Sequence, residues 1–361
     1  DTLMQGWLPI AALEPLTAHD DVLQIRRPAE AELLERALAG ASTTEGLAAM
    51  NGVAWHVDGY QGAGVKIGVI DGGFVGYPGL LGTDLPATVT VKNFVDGESD
   101  AQVNGTTSHG TACAEIIYDI APQATFYLAK ISTNLDLQEA AAWLKNAHQV
   151  DVISISMGWY AVTPGDGTGQ FADLVSGARS AGITWVCAAG NDRERHWGGL
   201  FTDTDGDGFL EGEGVVINCV GPDDAAGSNI NPGFRFRANL RWNDWTNVDQ
   251  DFALLLLRWN GSFWDVPAVS NNPQNGGAGQ RPVEYAEITT SGDPTPYGVA
   301  IARVSSSKRV NFDLFVPRAP RLRKLLYARS LSNLADAPDG LTVAALDVAP
   351  PFPQENYSSQ G

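Results

Sequence analysis

Between Gly64 and Ala189, short apolar runs alternate with helical stretches, and this alternation limits the fold more than any other feature of the sequence. The apolar runs are Val65–Ile70, Thr125–Ile131, Val150–Met157 and Ile183–Ala189, and the helical stretches are Gly110–Tyr118, Leu137–His148 and Phe171–Ala181. Strands that are apolar on both faces and separated by helices are typical of a parallel sheet covered by helices. The sequence therefore predicts an α/β fold for this part of the chain.

The pattern changes after Gly199. An acidic Gly/Asp loop is followed by short alternating segments without helices, at Gly233–Trp242, Asp251–Trp259, Val283–Thr289, Tyr297–Val304 and Val310–Val316. Strands at this spacing, separated by turn-rich stretches, indicate an all-β sandwich. Because Leu341–Asp347 returns to the apolar pattern of the first part, we interpret the sandwich as an insertion.

These patterns divide the chain into four parts. Residues 1–45 are an N-terminal extension, and residues 46–200 are the first part of the α/β domain. Residues 201–329 comprise the acidic loop and the sandwich, and residues 330–361 return to the α/β domain. Within the extension, Pro28–Leu38 has helical periodicity behind a proline start, which predicts a helix.

Length and composition exclude several classes of protein. The 361 residues are 44% hydrophobic, which is enough for a large core or for two to three domains. The net charge is −19 and basic residues do not cluster, so nucleic acid is disfavoured as a partner. No apolar run approaches the length that crosses a membrane. An acidic surface fits a secreted, extracellular protein that binds cations, and we predict that location.

The three cysteines are too few for a disulfide framework, and their number is odd. Cys113 and Cys187 stand among apolar or small residues, which predicts buried thiols that behave as small hydrophobic side chains. A single bridge between Cys187 and Cys219 is the alternative.

Three polar residues stand where the predicted segments begin or end. Asp71 ends the apolar run at Ile70, and Asn191 follows Ala189 in the sequence Ala-Ala-Gly-Asn. His109 begins a helical stretch and is followed by small residues that allow close approach. Taken singly, each is as readily a turn or structural residue. Because parallel sheets place active sites at the carboxyl ends of their strands, the three together predict a catalytic site.

With these residues the sequence resembles the subtilisin-like serine peptidases, or subtilases. The motifs beginning at Asp71 and His109 and ending at Asn191 are similar to the family's aspartate, histidine and oxyanion-asparagine motifs, in the family's order. The segment Ser156-Met157-Gly158 resembles the Ser-x-Gly strand that pairs with an extended peptide. The resemblance covers roughly residues 50–200 and 330–361, the N-terminal two-thirds of the catalytic domain with a β-sandwich inserted. It departs from the family at Gly72, where a hydroxyl residue is usual.

The resemblance implies a serine endopeptidase that acts on polypeptides, with a subtilisin-like parallel sheet covered by helices on both faces. His109 would act as general base and then general acid, Asp71 would orient it, and Asn191 would donate to the oxyanion. Ser156, Met157 and Gly158 would bind the substrate, with Met157 beside an apolar pocket.

The resemblance also bears on the N-terminal extension. The run Leu13–Arg26 resembles the last helix and strand of a subtilase propeptide, which would make the chain a zymogen. An ordinary N-terminal extension is the alternative.

The family's nucleophile motif, Gly-Thr-Ser-x-Ala, does not occur in this sequence. The segments Leu341–Asp347 and Tyr357–Gly361 resemble segments that precede it. We therefore expect the serine beyond residue 361, on a companion C-terminal fragment whose helix covers the sheet face beside Val65–Ile70 and Ile183–Ala189. The rival hypothesis is a non-catalytic binding or scaffolding protein that retains the subtilase fold. We favour the peptidase, because a scaffold has no need to keep the three motif residues together.

The acidic loop is a separate candidate site. It carries carboxylates at alternate positions, at Asp203, Asp205 and Asp207, in the D-x-D-x-D-G arrangement of calcium loops. The twelfth position is not Glu, so the loop is not an EF-hand, and Glu211 or Glu213 would supply the closing carboxylate. We predict a structural Ca²⁺ site, and a solvated acidic turn is the alternative.

Overall fold

A computed structural model of the chain describes residues 3–34, 44–211, 216–221 and 228–361. Its helices are α1 (Leu13–Thr17), α2 (Glu45–Ala49), α3 (Gly52–Val57), α4 (His109–Ile120), α5 (Asn134–Ala142) and α6 (Gln170–Ser180). Short 3-10 helices lie at Ile10–Ala12, Tyr77–Gly79 and Asp100–Val103, and a π-helical stretch, Trp143–His148, continues α5. None of these described helices is long and apolar enough to span a lipid bilayer.

The strands follow one another in two groups. The first comprises β1 (Glu32–Leu33), β2 (Lys66–Asp71), β3 (Thr90–Asn93), β4 (Thr125–Lys130), β5 (Val152–Ile155), β6 (Met157–Gly158) and β7 (Thr184–Ala188). The second comprises β8 (His196–Leu200), β9 (Asn218–Cys219), β10 (Asn229–Ile230), β11 (Arg235–Trp242), β12 (Asp251–Trp259), β13 (Trp264–Ser270), β14 (Val283–Thr289), β15 (Thr295–Ser305), β16 (Asn311–Phe315) and β17 (Leu341–Val343).

The centre of the α/β domain is a six-stranded sheet in the order β17-β7-β5-β2-β4-β3, and all of its pairs are parallel. The predicted α/β class is thereby confirmed. The sequence did not predict β3, a short edge strand in which Asn93 is the one buried residue. A strand without an apolar run on either face gives no periodic signal.

Helices cover the two faces of this sheet unequally. On one face, Ile153 and Trp185 pack in a large core against residues of α5 and α6, such as Leu137 and Val175. On the opposite face, β2 and β4 pack against α4 through Ala114 and its neighbours. Because both faces of β2 are covered, every residue from Ile67 to Asp71 is buried.

The cover on the α4 side ends beyond β2. Val186 on β7 is half-buried, and its parallel neighbour on β17, Leu341, is 58% exposed. Val343, which lies beside Ala188 on the same face, is 54% exposed. We had expected the uncovered face to extend to Val65–Ile70, and that part of the prediction was wrong because α4 packs on β2. The exposed apolar surface lies on β7 and β17.

The insertion is a sandwich of two antiparallel sheets. One sheet has the order β14-β11-β16-β8, and the other has the order β10-β15-β12-β13, with β9 also paired to β15. Apolar side chains such as Phe236, Trp242, Phe252 and Tyr297 fill the space between them. The sandwich begins at β8, before residue 201, because β8 pairs with β16. After the sandwich the chain rejoins the central sheet through β17.

The N-terminal extension differs from its prediction. The helix predicted over Pro28–Leu38 is absent from residues 28–34, which are extended and include β1, and residues 35–38 lie outside the described part. The reason is tertiary pairing: Ala31 donates its N–H to the carbonyl of Ser132, and β1 pairs with β6. Pairing with a neighbouring strand outweighs a weak local preference for helix.

All three cysteines are free thiols, so the Cys187–Cys219 bridge is not formed. Cys187 and Cys219 are buried, whereas Cys113 is only half-buried. Burial raises the pKa of the Cys187 thiol to about 11, which keeps it protonated and unreactive at neutral pH.

Candidate active site

The site is built around a buried pair, Asp71 and His109. Asp71 ends β2 and is fully buried, and His109 is the first residue of α4. The Nδ1 atom of His109 lies 2.8 Å from Oδ2 of Asp71, and Oδ1 of Asp71 accepts the N–H of Gly72 at 2.8 Å. Because an ionised carboxylate can only accept, the ring proton is on Nδ1, and Nε2 is the nitrogen that can accept a proton.

The residues after His109 explain why α4 begins so close to β2. A Cβ atom on Gly110 would lie 2.6 Å from Cβ of Asp71 and 2.6 Å from the carbonyl oxygen of Gly73. The N–H of Gly110 donates to that same carbonyl at 3.1 Å, and the hydroxyl of Thr111 donates to the carbonyl of Val75. The Gly-Thr pair therefore lets the helix start against the end of β2.

Two opposing effects act on the pKa of His109. Burial disfavours the imidazolium and lowers the pKa, while the hydrogen bond and the negative charge of Asp71 raise it. The Cys113 sulfur, 4.0 Å from Nδ1, acts in the same direction as Asp71. The net effect is a pKa above the ordinary value of 6.5, so the pair stabilises a protonated ring.

The other predicted residues lie at the same edge of the sheet. Ser156, Met157 and Gly158 follow β5, and Asn191 follows β7, with β5 lying between β2 and β7. Gly190 has a φ of 117°, a conformation that favours glycine, and it turns the chain away from the sheet. The carbonyl oxygen of Asn191 accepts from Nη1 of Arg195 at 2.7 Å. The oxyanion role of the Asn191 side chain stays a prediction.

An extended peptide already lies along Ser156–Gly158, and it is the chain's own N-terminal segment, Glu30–Leu34. Glu32 is paired with Gly158 and Leu33 with Met157, in antiparallel register, and the N–H of Leu34 donates to the carbonyl of Ser156 at 3.2 Å. On its other side the segment pairs with residues 132–133. The segment thus occupies a groove between β6 and residues 132–133 of the α/β domain.

The groove lies next to the Asp71–His109 pair. A methyl carbon of Leu33 lies 3.0 Å from the position that a Cβ atom would take on Gly72, the neighbour of Asp71. Met157 contributes its backbone, whereas its side chain is only 2% exposed and packs in the main core. Leu33 of the bound segment packs against the same core, so this burial is that of the occupied groove, and the predicted apolar pocket at Met157 stays a prediction.

A cluster of buried polar residues at the boundary with the sandwich was not predicted from the sequence. The Tyr160 hydroxyl donates to Oδ2 of Asp192, and burial raises the pKa of both groups. Glu32 lies nearby, with ion pairs to Arg237 and Arg318 of the insertion. Alternating arginines on β11 were the only signal, and such a pattern usually marks a solvent-facing side of a strand.

The acidic loop brings together three of its four predicted ligands. Carboxylate oxygens of Asp203, Asp205 and Asp207 lie within 4.8 Å of one another. Glu211 is outside this group, because its carboxylate accepts the N–H of Thr204 at 2.8 Å. The alternative closing residue, Glu213, lies outside the described residues.

One cation of the protein is already in contact with this loop. Nη2 of Arg303 lies 2.6 Å from Oδ2 of Asp203. The three carboxylates supply the hard oxygen ligands that Ca²⁺ prefers, while Arg303 competes for the carboxylate of Asp203.

The comparison with known families agrees with this geometry. Residues 62–215, which include Asp71, His109, Ser156–Gly158 and Asn191, match the model of the subtilase family, Peptidase_S8. Over this segment the chain carries a subtilase-like domain.

One solved structure, the first of the two that follow, shows a similar fold. The CspB protease of Clostridium perfringens is 12% identical over 85% of this chain and 74% of its own, with a TM-score of 0.51. The MycP3 protease from the type VII (ESX-3) secretion system is 19% identical over 50% of this chain and 56% of its own, with a TM-score of 0.32. No curated protein matches the sequence significantly.

The Asp71–His109 contact can be tested by NMR titration of the His109 ring. In the Asp71→Asn variant the raising effect of the carboxylate is removed while burial remains, so the pKa of His109 should fall below its wild-type value. The free energy of unfolding should depend on pH in the same way. In wild type the protonated His109 ring stabilises the fold fully below pH 6.5, and this stabilisation is lost as the pH rises through the folded-state pKa. Asp173→Asn, on the exposed side of α6, is the control. An unchanged His109 pKa in Asp71→Asn would contradict the pairing.

Proposed function

We propose that this chain is part of a subtilisin-like serine endopeptidase that hydrolyses peptide bonds by Asp-His-Ser acyl-enzyme catalysis, with the serine contributed from beyond residue 361. The observation that carries the proposal is the buried Asp71–His109 pair beside a strand that pairs with an extended peptide. An orienting carboxylate, a base and a backbone-binding strand are three of the parts that this reaction needs.

Each residue has a defined task in the reaction. His109 takes the proton of the serine hydroxyl at Nε2 as the oxygen attacks the peptide carbonyl, and then gives that proton to the leaving amine. Asp71 holds Nδ1–H and stabilises the imidazolium without taking the proton. The Asn191 amide donates to the oxyanion of the tetrahedral intermediate. Water then releases the acyl group by the same route.

The open face on β7 and β17 supports a serine-bearing helix as the missing cover. Leu341 and Val343 are exposed there beside the half-buried Val186. Burying several hundred Å² of such surface would stabilise the domain by on the order of 10 kcal/mol, at about 25 cal/mol per Å². A helix packed beside α4 would also bring its first residue towards His109.

The N-terminal segment supports a zymogen. Residues 30–34 lie where a substrate peptide would pair, so they block the groove while they remain bound. A helix, α1, precedes this extended segment, as in the propeptide that the sequence resembles. We assign the segment as a propeptide tail, and the acidic surface fits secretion of the mature enzyme.

Peptide hydrolysis by the complete protein tests the assignment. Replacing Asn191 with Ala should lower kcat by roughly a hundred- to thousand-fold with little change in KM, the loss measured when an oxyanion donor is removed from a subtilisin. Asn260→Ala, in an exposed turn of the sandwich, should leave kcat unchanged.

Two results would count against the proposal. A change in KM alone would exclude the oxyanion role of Asn191. Hydrolysis that survives His109→Ala would exclude the catalytic pair altogether.

For the acidic loop, we propose a structural Ca²⁺ ion held by Asp203, Asp205 and Asp207. The mutual proximity of the three carboxylates supports it, and the ion would have to displace Arg303 from Asp203. Such an ion would fix the loop between β8 and β9 and would take no part in the chemistry.

Calcium should therefore raise the melting temperature relative to excess chelator, because the unfolded chain does not assemble the site. The gain is about 2.7 kcal/mol when calcium is present at about a hundred times its Kd. Asp205→Ala and Asp207→Ala should each abolish the increment, while Asp293→Ala, exposed elsewhere in the sandwich, should keep it. Equal melting temperatures with calcium and with chelator would reduce the loop to an acidic turn.

A further inference from the structure

The inserted sandwich presents arginines to the α/β domain. Along β11, Phe236, Leu240 and Trp242 point into the sandwich core, so the alternate residues point outwards. Those alternate positions include Arg235, Arg237 and Arg241. Arg235 is exposed, whereas Arg237 and Arg241 are buried. Arg241, for example, donates to the carbonyl of Thr163 at 3.2 Å. This outer face is therefore an interface with the peptidase domain.

Two arginines of the sandwich converge on one side chain of the segment in the groove. The carboxylate of Glu32 is paired with Nη1 of Arg237 through one oxygen and with Nε of Arg318, at 3.2 Å, through the other. Glu32 is only 5% exposed, and its backbone is the part that pairs with Gly158. A side chain at this position of the bound peptide thus enters a buried, positively charged subsite.

The electrostatics of the subsite favour a carboxylate over other side chains. On balance the pKa of Glu32 is raised, by burial and by the charge of Asp192, while Arg237 and Arg318 lower it and so offset part of the cost of the buried carboxylate. A neutral side chain would leave Arg237, which is itself buried, with Glu287 as its remaining carboxylate at 3.3 Å. A basic side chain would place a third cation beside two others. Leaving a buried charge with fewer partners is costly, so the subsite discriminates by charge.

We propose that Arg237 and Arg318 of the inserted sandwich form a specificity subsite for an acidic side chain, at the position of the bound peptide that Glu32 now occupies. The proposal rests on the proposed peptidase function, and it names the substrate class as extended peptides that carry a carboxylate paired opposite Gly158. The N-terminal segment then occupies the groove through the same contacts that a preferred substrate would make. Arg237 and Arg318 contact the substrate at a distance from the reacting bond.

Cleavage of matched peptides by the complete peptidase tests this selectivity. The parent peptide, internally quenched, has the sequence of residues 29–38, and two others replace the Glu at position 32 by Gln or Lys. For the wild-type protein, kcat/KM for the parent peptide should exceed that for the Gln peptide about tenfold or more, and the Lys peptide should have the lowest kcat/KM of the three. Arg237→Gln should remove the preference, and Arg309→Gln, an exposed arginine of the same sandwich, should keep it. Equal kcat/KM values for the Glu and Gln peptides in wild type would overturn the proposal.

Hydrogen exchange of the full chain gives a second readout that does not depend on catalysis. Exchange of the Ala31 and Leu34 amides, which donate into the groove walls, should be about tenfold faster in Glu32→Gln and Arg237→Gln than in wild type. Arg318→Gln should act in the same direction with a smaller effect, because its side chain is 55% exposed. Because the Arg318 side chain is exposed, Arg318→Gln should fold even if Arg237→Gln does not.

The two readouts separate the two hypotheses. If no peptide is cleaved but exchange accelerates in Glu32→Gln and Arg318→Gln, the peptidase function fails and the carboxylate subsite stands. If exchange in these variants equals that of wild type and of Arg309→Gln, the arginines do not hold the segment, and the subsite is refuted.

Discussion

The hydrogen bond between Asp71 and His109 is the interaction on which the rest of the site depends. A fully buried carboxylate needs donors, and Asp71 obtains them from the Gly72 amide and the His109 ring. That demand fixes the start of α4 against the end of β2, with Gly110 at the point of contact. The parallel sheet then places the peptide-binding strand and Asn191 at the same edge, since all its strands run in one direction.

The place of the insertion explains how a β-sandwich reaches the groove. The chain leaves the α/β domain soon after Asn191, enters the sandwich at β8, and returns to pair β17 with β7. On its return the chain contacts the edge that carries the site, where Ser332 donates its N–H to the carbonyl of Ala189 and Asn333 donates its N–H to that of Trp159. A sheet anchored there turns its outer face to the bound peptide, and Arg237 meets Glu32 across a separation of 205 residues in sequence.

The sequence predicted those features that depend on local pattern or motif. The strands β2, β4, β5 and β7 were found because each is a mostly apolar run, which in β2 and β4 reflects burial on both faces. Asp71 and His109 were singled out because they stand at segment ends. Features that depend on tertiary contacts were missed or wrong: the extended state of Pro28–Leu34 and the ion pairs of Glu32 both come from strands distant in sequence. Glu211 was expected to close a metal site, but its carboxylate accepts the N–H of Thr204 within the same loop.

We propose that Asp71 and His109 activate a serine nucleophile. A serine-directed fluorophosphonate probe, which reacts with such a serine, tests this activation. Intact mass spectrometry of the native, full-length protein after labelling should show one probe on a serine outside residues 1–361. Labelling should disappear in His109→Ala, because the serine then lacks its base, and cooperative thermal unfolding of the variant shows that it is folded. No labelling of the wild-type protein, or equal labelling of His109→Ala, would contradict the account and favour a binding protein that retains the fold.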